Sequence, residues 1–185
     1  MKIVILDRDG VINLDSDDFI KNVHEWIPID GSIQAIAKLF QAGYRIYVAT
    51  NQSGLGRGLF SLDDLEAMHN KMRNLVREAG GDIAAIFFCP HTPDDNCACR
   101  KPLPGLLEQV RQHAGVELLD TPMIGDSLRD LEAGLAVGCR PVLVKTGKGI
   151  KTLQTITESA LQILAQLQVY DSLAQAADAL LEDNK

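Results

Sequence analysis

Five short apolar runs, separated by stretches of helical periodicity, restrict this chain to an α/β fold built on a mainly parallel sheet. The runs are Lys2–Asp7, Tyr44–Thr50, Ala84–Cys89, Thr121–Gly125 and Arg140–Lys145. The first is rich in Ile and Val, as expected of a strand buried on both faces. After the Asp30-Gly31-Ser32 turn, Ile33, Ile36, Ala37 and Phe40 recur at helical spacing, and Gly43 sits where a C-terminal cap belongs. Ser61 with Asp64 has the form of a capping box; Leu62, Leu65, Met68, Met72, Leu75, Val76 and Ala79 then make one apolar stripe ending at Gly80-Gly81. Pro104 opens a third helix carrying Leu106, Leu107 and Val110, and Leu128–Val137 makes a fourth that ends at Gly138. Beyond a break at Gly147-Lys148-Gly149, Thr155–Leu167 and Ser172–Leu181 read as two more helices. The expected organisation is one domain over residues 1–149, with 150–185 a helical extension of it.

Charge and length exclude several functions. The 185 residues suit one core, and 25 acidic against 18 basic residues give a formal charge of −7, which repels nucleic acid and anionic lipid. No uncharged apolar run approaches the ~18 residues of a membrane-spanning helix, and Met1–Leu6 reaches Asp7 too soon for a signal peptide. A cytoplasmic monomer acting on a small molecule is expected, with neither nucleic acid nor membrane as partner.

The chemistry gathers at strand ends, where ligand crevices of open α/β sheets lie. Asp7-Arg8-Asp9-Gly10 follows the first strand, and alternation in an extended segment lets both carboxylates face one site while Gly10 permits a sharp turn. Two adjacent carboxylates repel, and Mg²⁺ would relieve that repulsion; a surface turn is the alternative. Thr50-Asn51-Gln52-Ser53-Gly54 offers a hydroxyl, amides and backbone N–H groups to an anion, or is an ordinary turn. Arg100-Lys101-Pro102 offers a fork and a point charge to phosphoryl oxygens, or is a solvated basic pair. Gly125-Asp126-Ser127, with Asp130 a turn later, adds a third carboxylate that also suits a helix N-cap.

Three of the four cysteines, Cys89, Cys97 and Cys99, fall within eleven residues beside His91. Three thiolates and an imidazole close a tetrahedral Zn²⁺ site with no open position, so the metal is expected to shape the loop and fix the register of Arg100 and Lys101. Cys139, alone before the last strand, is expected in the core. His24, His69 and His113 lack ligand spacing; Trp26 is expected to anchor its loop, and Lys145 and Lys148 to be solvated.

Asp-x-Asp-Gly, Thr-Asn, Lys-Pro and Gly-Asp in this order resemble the four motifs of the haloacid dehalogenase (HAD) superfamily of phosphotransferases, over residues 3–149. The resemblance implies a doubly wound, Rossmann-like sheet. It also implies Asp7 as the nucleophile that becomes an aspartyl-phosphate and Asp9 as general acid and then base. Thr50 and Lys101 would hold the phosphoryl group, and Asp7, the Asp9 carbonyl and Asp126 would hold Mg²⁺; Asp130 would orient Lys101 or an outer water. Only 37 residues separate Asp7 from Tyr44, and one helix, one strand and the zinc loop fill Thr50 to Lys101, so no cap domain fits.

With the zinc loop, the chain further resembles the capless branch that dephosphorylates a heptose bisphosphate in nucleotide-activated heptose synthesis, a lipopolysaccharide precursor route. The histidinol phosphatases are its close relatives. That branch implies contacts to the sugar bisphosphate from Asp15 and the loop after it, Asn51, Gln52, Ser53 and Arg100, with Arg100 placed for the phosphate that is not cleaved. Ser127 stands where Lys is common, Val11 where Thr is frequent, and the five-residue zinc spacer is short; these bear on the second phosphate and the anomer. A non-catalytic zinc-stabilised module is the rival reading, supported only by the amphipathic C-terminal helices.

Overall fold

The computed structural model describes residues 1–156 and 165–183. Six strands, β1 (Lys2–Leu6), β2 (Tyr44–Asn51), β3 (Ala85–Cys89), β4 (Pro122–Gly125), β5 (Arg140–Val144) and β6 (Gln168–Tyr170), form one parallel sheet in the order β3-β2-β1-β4-β5-β6. The order reverses between β1 and β4, which opens a crevice at their C-terminal ends, and Asp7 and Asp126 are the first residues beyond those two strands.

Strand alternation assigns the two faces. Ile3 and Ile5 of β1, with Tyr47 and Ala49 of β2, pack on α4 (Gly105–Ala114) through Leu106, Leu107 and Val110, and reach Ala133 of α5 (Leu128–Leu135). Val4 and Leu6, with Ile46 and Val48, pack in the opposite cluster with α1 (Ser32–Gln41) and the long α3 (Leu62–Glu78). The Ser61–Asp64 capping box at the start of α3 is present. One-turn α2 (Ser53–Gly56) follows β2, and Phe40 on α1 is exposed although it shares the helical spacing. Trp26 and Cys139 are buried in the core.

The C-terminal segment differs from the sequence expectation. Helix α6 (Gly149–Thr155) begins at the expected break, and β6 adds a sixth strand beside β5. The expected helix Thr155–Leu167 falls mostly outside the described residues. Helix α7 (Leu173–Glu182) follows closely the expected 172–181, and its Leu173, Ala176, Ala177 and Leu180 belong to the same apolar cluster as α1 and β1. This segment thus adds to the sheet and the core. Among the described residues no helix is long and apolar enough to cross a membrane.

Candidate active site

A cavity of about 280 Å³ lies at the switch point, and Asp7, Asp9, Asp15, Thr50, Asn51, Gln52, Ser53, Arg100, Lys101 and Asp126 all line it. The fold thus gathers every sequence-derived catalytic and substrate residue around one space. Gly10 turns the chain at φ 80°, and a Cβ there would strike the Asp126 carboxylate, so any other residue would push that carboxylate out of place.

Lys101, fully buried, uses all three ammonium donors: it lies 2.9 Å from Asp7 Oδ1 and 2.5 Å from Asp130 Oδ1, and donates to the Ala49 carbonyl at 2.7 Å. The other Asp130 oxygen accepts from the Ser127 backbone and hydroxyl, completing the capping box of α5. Although Asp130 lies within ligand distance of Asp7 and Asp126, both of its oxygens are therefore engaged. Asp7 Oδ1 also accepts the Arg8 N–H at 2.8 Å, whereas Oδ2 takes no hydrogen bond among the described residues.

The side-chain amides of Asn51 and Gln52 have partners inside the protein. Asn51 donates to the Lys101 carbonyl and accepts its N–H, at 3.0 and 3.1 Å, clamping the Lys101 backbone. Gln52 Nε2 donates to Asp9 Oδ2 at 2.8 Å and to Thr50 Oγ1 at 2.9 Å. With its oxygen thus serving as acceptor, the Thr50 hydroxyl keeps its own proton to donate.

Four carboxylates meet here, Asp7, Asp9, Asp126 and Asp130, against two buried cations, Lys101 and Arg8. Burial, with Asp7 and Asp130 nearby, pushes Asp126 up to about 8. Burial and Asp130, only partly offset by Lys101, push Asp7 up to about 6. Burial also opposes ionisation of Asp9, but Arg8 and the donors Asn13 and Gln52 outweigh it and hold that carboxyl below its usual range. The remaining excess of two negative charges is what a divalent cation cancels, so Asp7 and Asp126, whose carboxylate oxygens lie within 4.8 Å of one another, fit Mg²⁺.

Three further basic residues, Lys148, Arg57 and Arg129, border this space. Lys148 reaches Asp15 at 2.7 Å and its N–H donates to Asp126 Oδ2 at 2.7 Å, so it belongs to the site wall and is not merely solvated. Arg57 and Arg129 line the cavity with Arg100, whose pKa is lowered by partial burial and then by these neighbouring guanidinium groups. None of the three arginines forms an ion pair with a carboxylate among the described residues. Arg8 is fully buried behind the site, against His69 of α3. No motif spacing marks Arg57 or Arg129, and Lys148 lies in a glycine-rich turn that could be read as solvated.

His69 itself is inside the protein, where burial and then the Arg8 charge lower its pKa to about 3. The unfolded chain takes up a proton below about 6.5 that the folded chain refuses, so this stability is present above 6.5 and is lost as pH falls toward 3. His69→Gln is expected to lose about 2 kcal/mol less than the parent between pH 7 and pH 5, read from urea unfolding at both values. Equal losses would contradict this.

The zinc loop leaves β3 at Cys89 and contains one 3₁₀ turn, Pro93–Asp95. Sulfur–sulfur distances among Cys89, Cys97 and Cys99 are 3.1 to 3.6 Å, and His91 Nδ1 lies 3.6 Å from Cys89 and 3.4 Å from Cys99. These are far beyond a disulfide bond and near the ~3.8 Å edge of a tetrahedron with ~2.3 Å metal–sulfur bonds. Three sulfurs and one imidazole nitrogen on such a tetrahedron fit Zn²⁺ as the loop's metal.

Comparison with known proteins agrees with this geometry. The family description "HAD-hyrolase-like" matches residues 98–176, and "Polynucleotide kinase 3 phosphatase" matches residues 2–127. The chain is 56% identical, over 97% of its length and 98% of the relative's, to a D-glycero-beta-D-manno-heptose-1,7-bisphosphate 7-phosphatase of Pseudomonas aeruginosa. It is 52% identical to the protein of that name from Neisseria meningitidis, over 100% and 97%. The crystal structure of a D,D-heptose 1,7-bisphosphate phosphatase from Bordetella bronchiseptica, complexed with magnesium and phosphate, superposes with a TM-score of 0.92 at 50% identity and covers 99% of each chain. Near-full-length identity at this level, on a sheet whose switch point carries the phosphotransferase motifs in order, makes this chain a phosphatase of the HAD superfamily, belonging to the D-glycero-beta-D-manno-heptose-1,7-bisphosphate 7-phosphatase family.

Proposed function

We propose that this protein removes the C7 phosphate of D-glycero-beta-D-manno-heptose 1,7-bisphosphate in a Mg²⁺-dependent reaction, as a cytoplasmic monomer, with its machinery in residues 1–149. The observation that carries the reading is the single cavity bordered at once by the Asp7, Asp9, Thr50, Lys101 and Asp126 set and by Arg57, Arg100 and Arg129. The first group suits a phosphoryl group in transfer, and the second suits a further anion on the same small molecule. Relatives at 50% to 56% identity, all named for the β anomer, support that choice of anomer.

Asp7 attacks phosphorus with the carboxylate oxygen that Lys101 and the Arg8 N–H leave free, while Asp9, having taken the proton of a monoanionic phosphate ester, passes it to the departing C7 oxygen. The phosphoryl oxygens take the Thr50 hydroxyl proton and face the Lys101 charge. Asp9, now a carboxylate, takes a proton from water as it attacks the aspartyl-phosphate, and inorganic phosphate leaves with Asp7 restored. Asp7, Asp126 and, by the motif, the Asp9 carbonyl would hold Mg²⁺, which would supply positive charge against the phosphoryl oxygens.

Release of phosphate from the heptose bisphosphate, at least tenfold more efficient than from histidinol phosphate, tests the substrate; the reverse preference would overturn it. Arg100→Ala is expected to raise KM for the bisphosphate by roughly tenfold or more with little change in kcat, because the uncleaved phosphate makes the same contact before and during reaction. On p-nitrophenyl phosphate, which has no second anion, the variant should match the parent. A fall in kcat on both esters would place Arg100 at the reacting phosphate instead.

A further inference from the structure

We infer that Arg8 is a positioning residue for the reaction: its buried guanidinium fixes the Asp9 carboxylate and the Gln52 amide in one orientation behind the reacting phosphate, with His69 as its backstop. The inference rests on the phosphatase reading above and assigns a task to a residue that separates the two motif aspartates. Position 8 lies just past β1, where alternation turns its side chain to the face opposite Asp7, fully buried against His69 of α3. A charge in such a place is costly unless every donor is matched.

The match is a closed ring. Arg8 Nη2 lies 3.0 Å from both Asp9 oxygens and 3.0 Å from Gln52 Oε1, while Gln52 Nε2 returns to Asp9 Oδ2 at 2.8 Å. The ring dictates which way the Gln52 amide faces, because the guanidinium needs its oxygen and the carboxylate needs its nitrogen. That same nitrogen reaches Thr50 Oγ1 at 2.9 Å, so one guanidinium holds both the acid–base carboxyl and, through the amide, the phosphoryl-binding hydroxyl. On the far side Nη1 donates to the neutral His69 ring at 3.4 Å, and Asn13 caps Asp9 Oδ1 at 2.8 Å. Nε adds a contact to Asp9 Oδ1 at 3.3 Å, so three guanidinium nitrogens serve the carboxylate, the amide and His69 at once, a span that the one nitrogen of a lysine cannot cover.

Arg8→Lys is therefore expected to lower kcat on the heptose bisphosphate by about 100-fold, the cost of misplacing a general acid, with KM within twofold. On p-nitrophenyl phosphate the phosphorus–oxygen bond breaks as the bond to Asp7 forms, and p-nitrophenolate leaves without needing a proton. The variant should therefore release one equivalent in a burst. Slow turnover follows, because water attack still needs Asp9 to take a proton. A folded Arg8→Lys protein with kcat within threefold of the parent overturns the inference, and so does one that loses the burst along with turnover, since that marks a collapsed site. Should Arg8→Lys fail to fold, Gln52→Ala opens the same ring without removing a charge: about a tenfold fall in kcat supports the inference and an unchanged kcat overturns it. A parent protein that releases phosphate from neither ester removes the phosphatase reading and this inference with it. An active parent matched by its variant removes the inference alone.

Discussion

Asp7→Asn is expected to abolish turnover, by on the order of 10⁴-fold or more in kcat, while leaving a protein at least as stable as the parent. The amide keeps the carboxylate's shape, so the contacts of Asp7 Oδ1 with the Arg8 N–H and the 2.9 Å approach of Lys101 retain an oxygen acceptor. What disappears is the anionic oxygen that attacks phosphorus. Stability should move the other way. Burial and Asp130 raise Asp7 to about 6, so its contribution is present below the ordinary value near 3.8 and is lost as pH rises through 6. Metal-free Asp7→Asn should accordingly melt above the parent at pH 8, with about half of that margin left at pH 5. Calorimetry at the two pH values, beside a phosphate-release assay, separates a chemical role from a structural one. An inactive variant that melts lower at pH 8 would make Asp7 a structural residue, and more than 1% residual turnover would remove it as nucleophile.

Such a trade of stability for chemistry is also why part of the site could be read from the chain and part could not. An aspartate pair directly after an all-apolar strand has no packing explanation, and a buried lysine two residues beyond a zinc ligand needs a carboxylate, which Asp130 supplies one turn into α5. Those features are local or follow strand ends, so a linear reading finds them. Arg8 is different: between two aspartates it reads as a spacer, and its meaning depends on His69, 61 residues away on another element. Asn51 and Gln52 lie where the motif puts them, but only three-dimensional contacts show their amides engaged with the Lys101 backbone and Asp9. In the fold, β6 escaped because three half-buried residues, Gln168–Tyr170, are too short to display a period. Helix α6 escaped for a related reason: its seven residues make under two turns, and Ile150 and Leu153 alone are too few to set a helical period.

Removing the zinc should cost both stability and turnover, although no zinc ligand touches the reacting phosphate. The segment from Cys89 to Arg100 has a single 3₁₀ turn of its own, and its backbone is tied down mainly at its ends: Cys89 and Pro90 accept from Gln52 and Gly56, and Ala98 accepts from Gly105. Without a metal, three sulfurs and a ring nitrogen within 3.1 to 3.6 Å of one another have no covalent reason to stay together. Lys101 lies two residues past Cys99 and needs three acceptors on three different elements at once, so a loosened loop misplaces the ammonium beside Asp7. Structural zinc sites contribute on the order of 10 kcal/mol in small domains that cannot fold without them. Here the sheet supplies its own core, and a loss of about 3 kcal/mol, enough to lower the melting temperature by roughly 6–12 °C, is the expected scale. Cys97→Ala should therefore bind less than one zinc per chain, melt lower, and turn over at least tenfold more slowly, even with saturating Mg²⁺ present. Excess Mg²⁺ is the necessary control, because a chelator would otherwise empty both metal sites and hide which one mattered. A Cys97→Ala protein that carries no zinc yet melts and turns over like its parent would mean that β3 and α4 alone hold Lys101 in place.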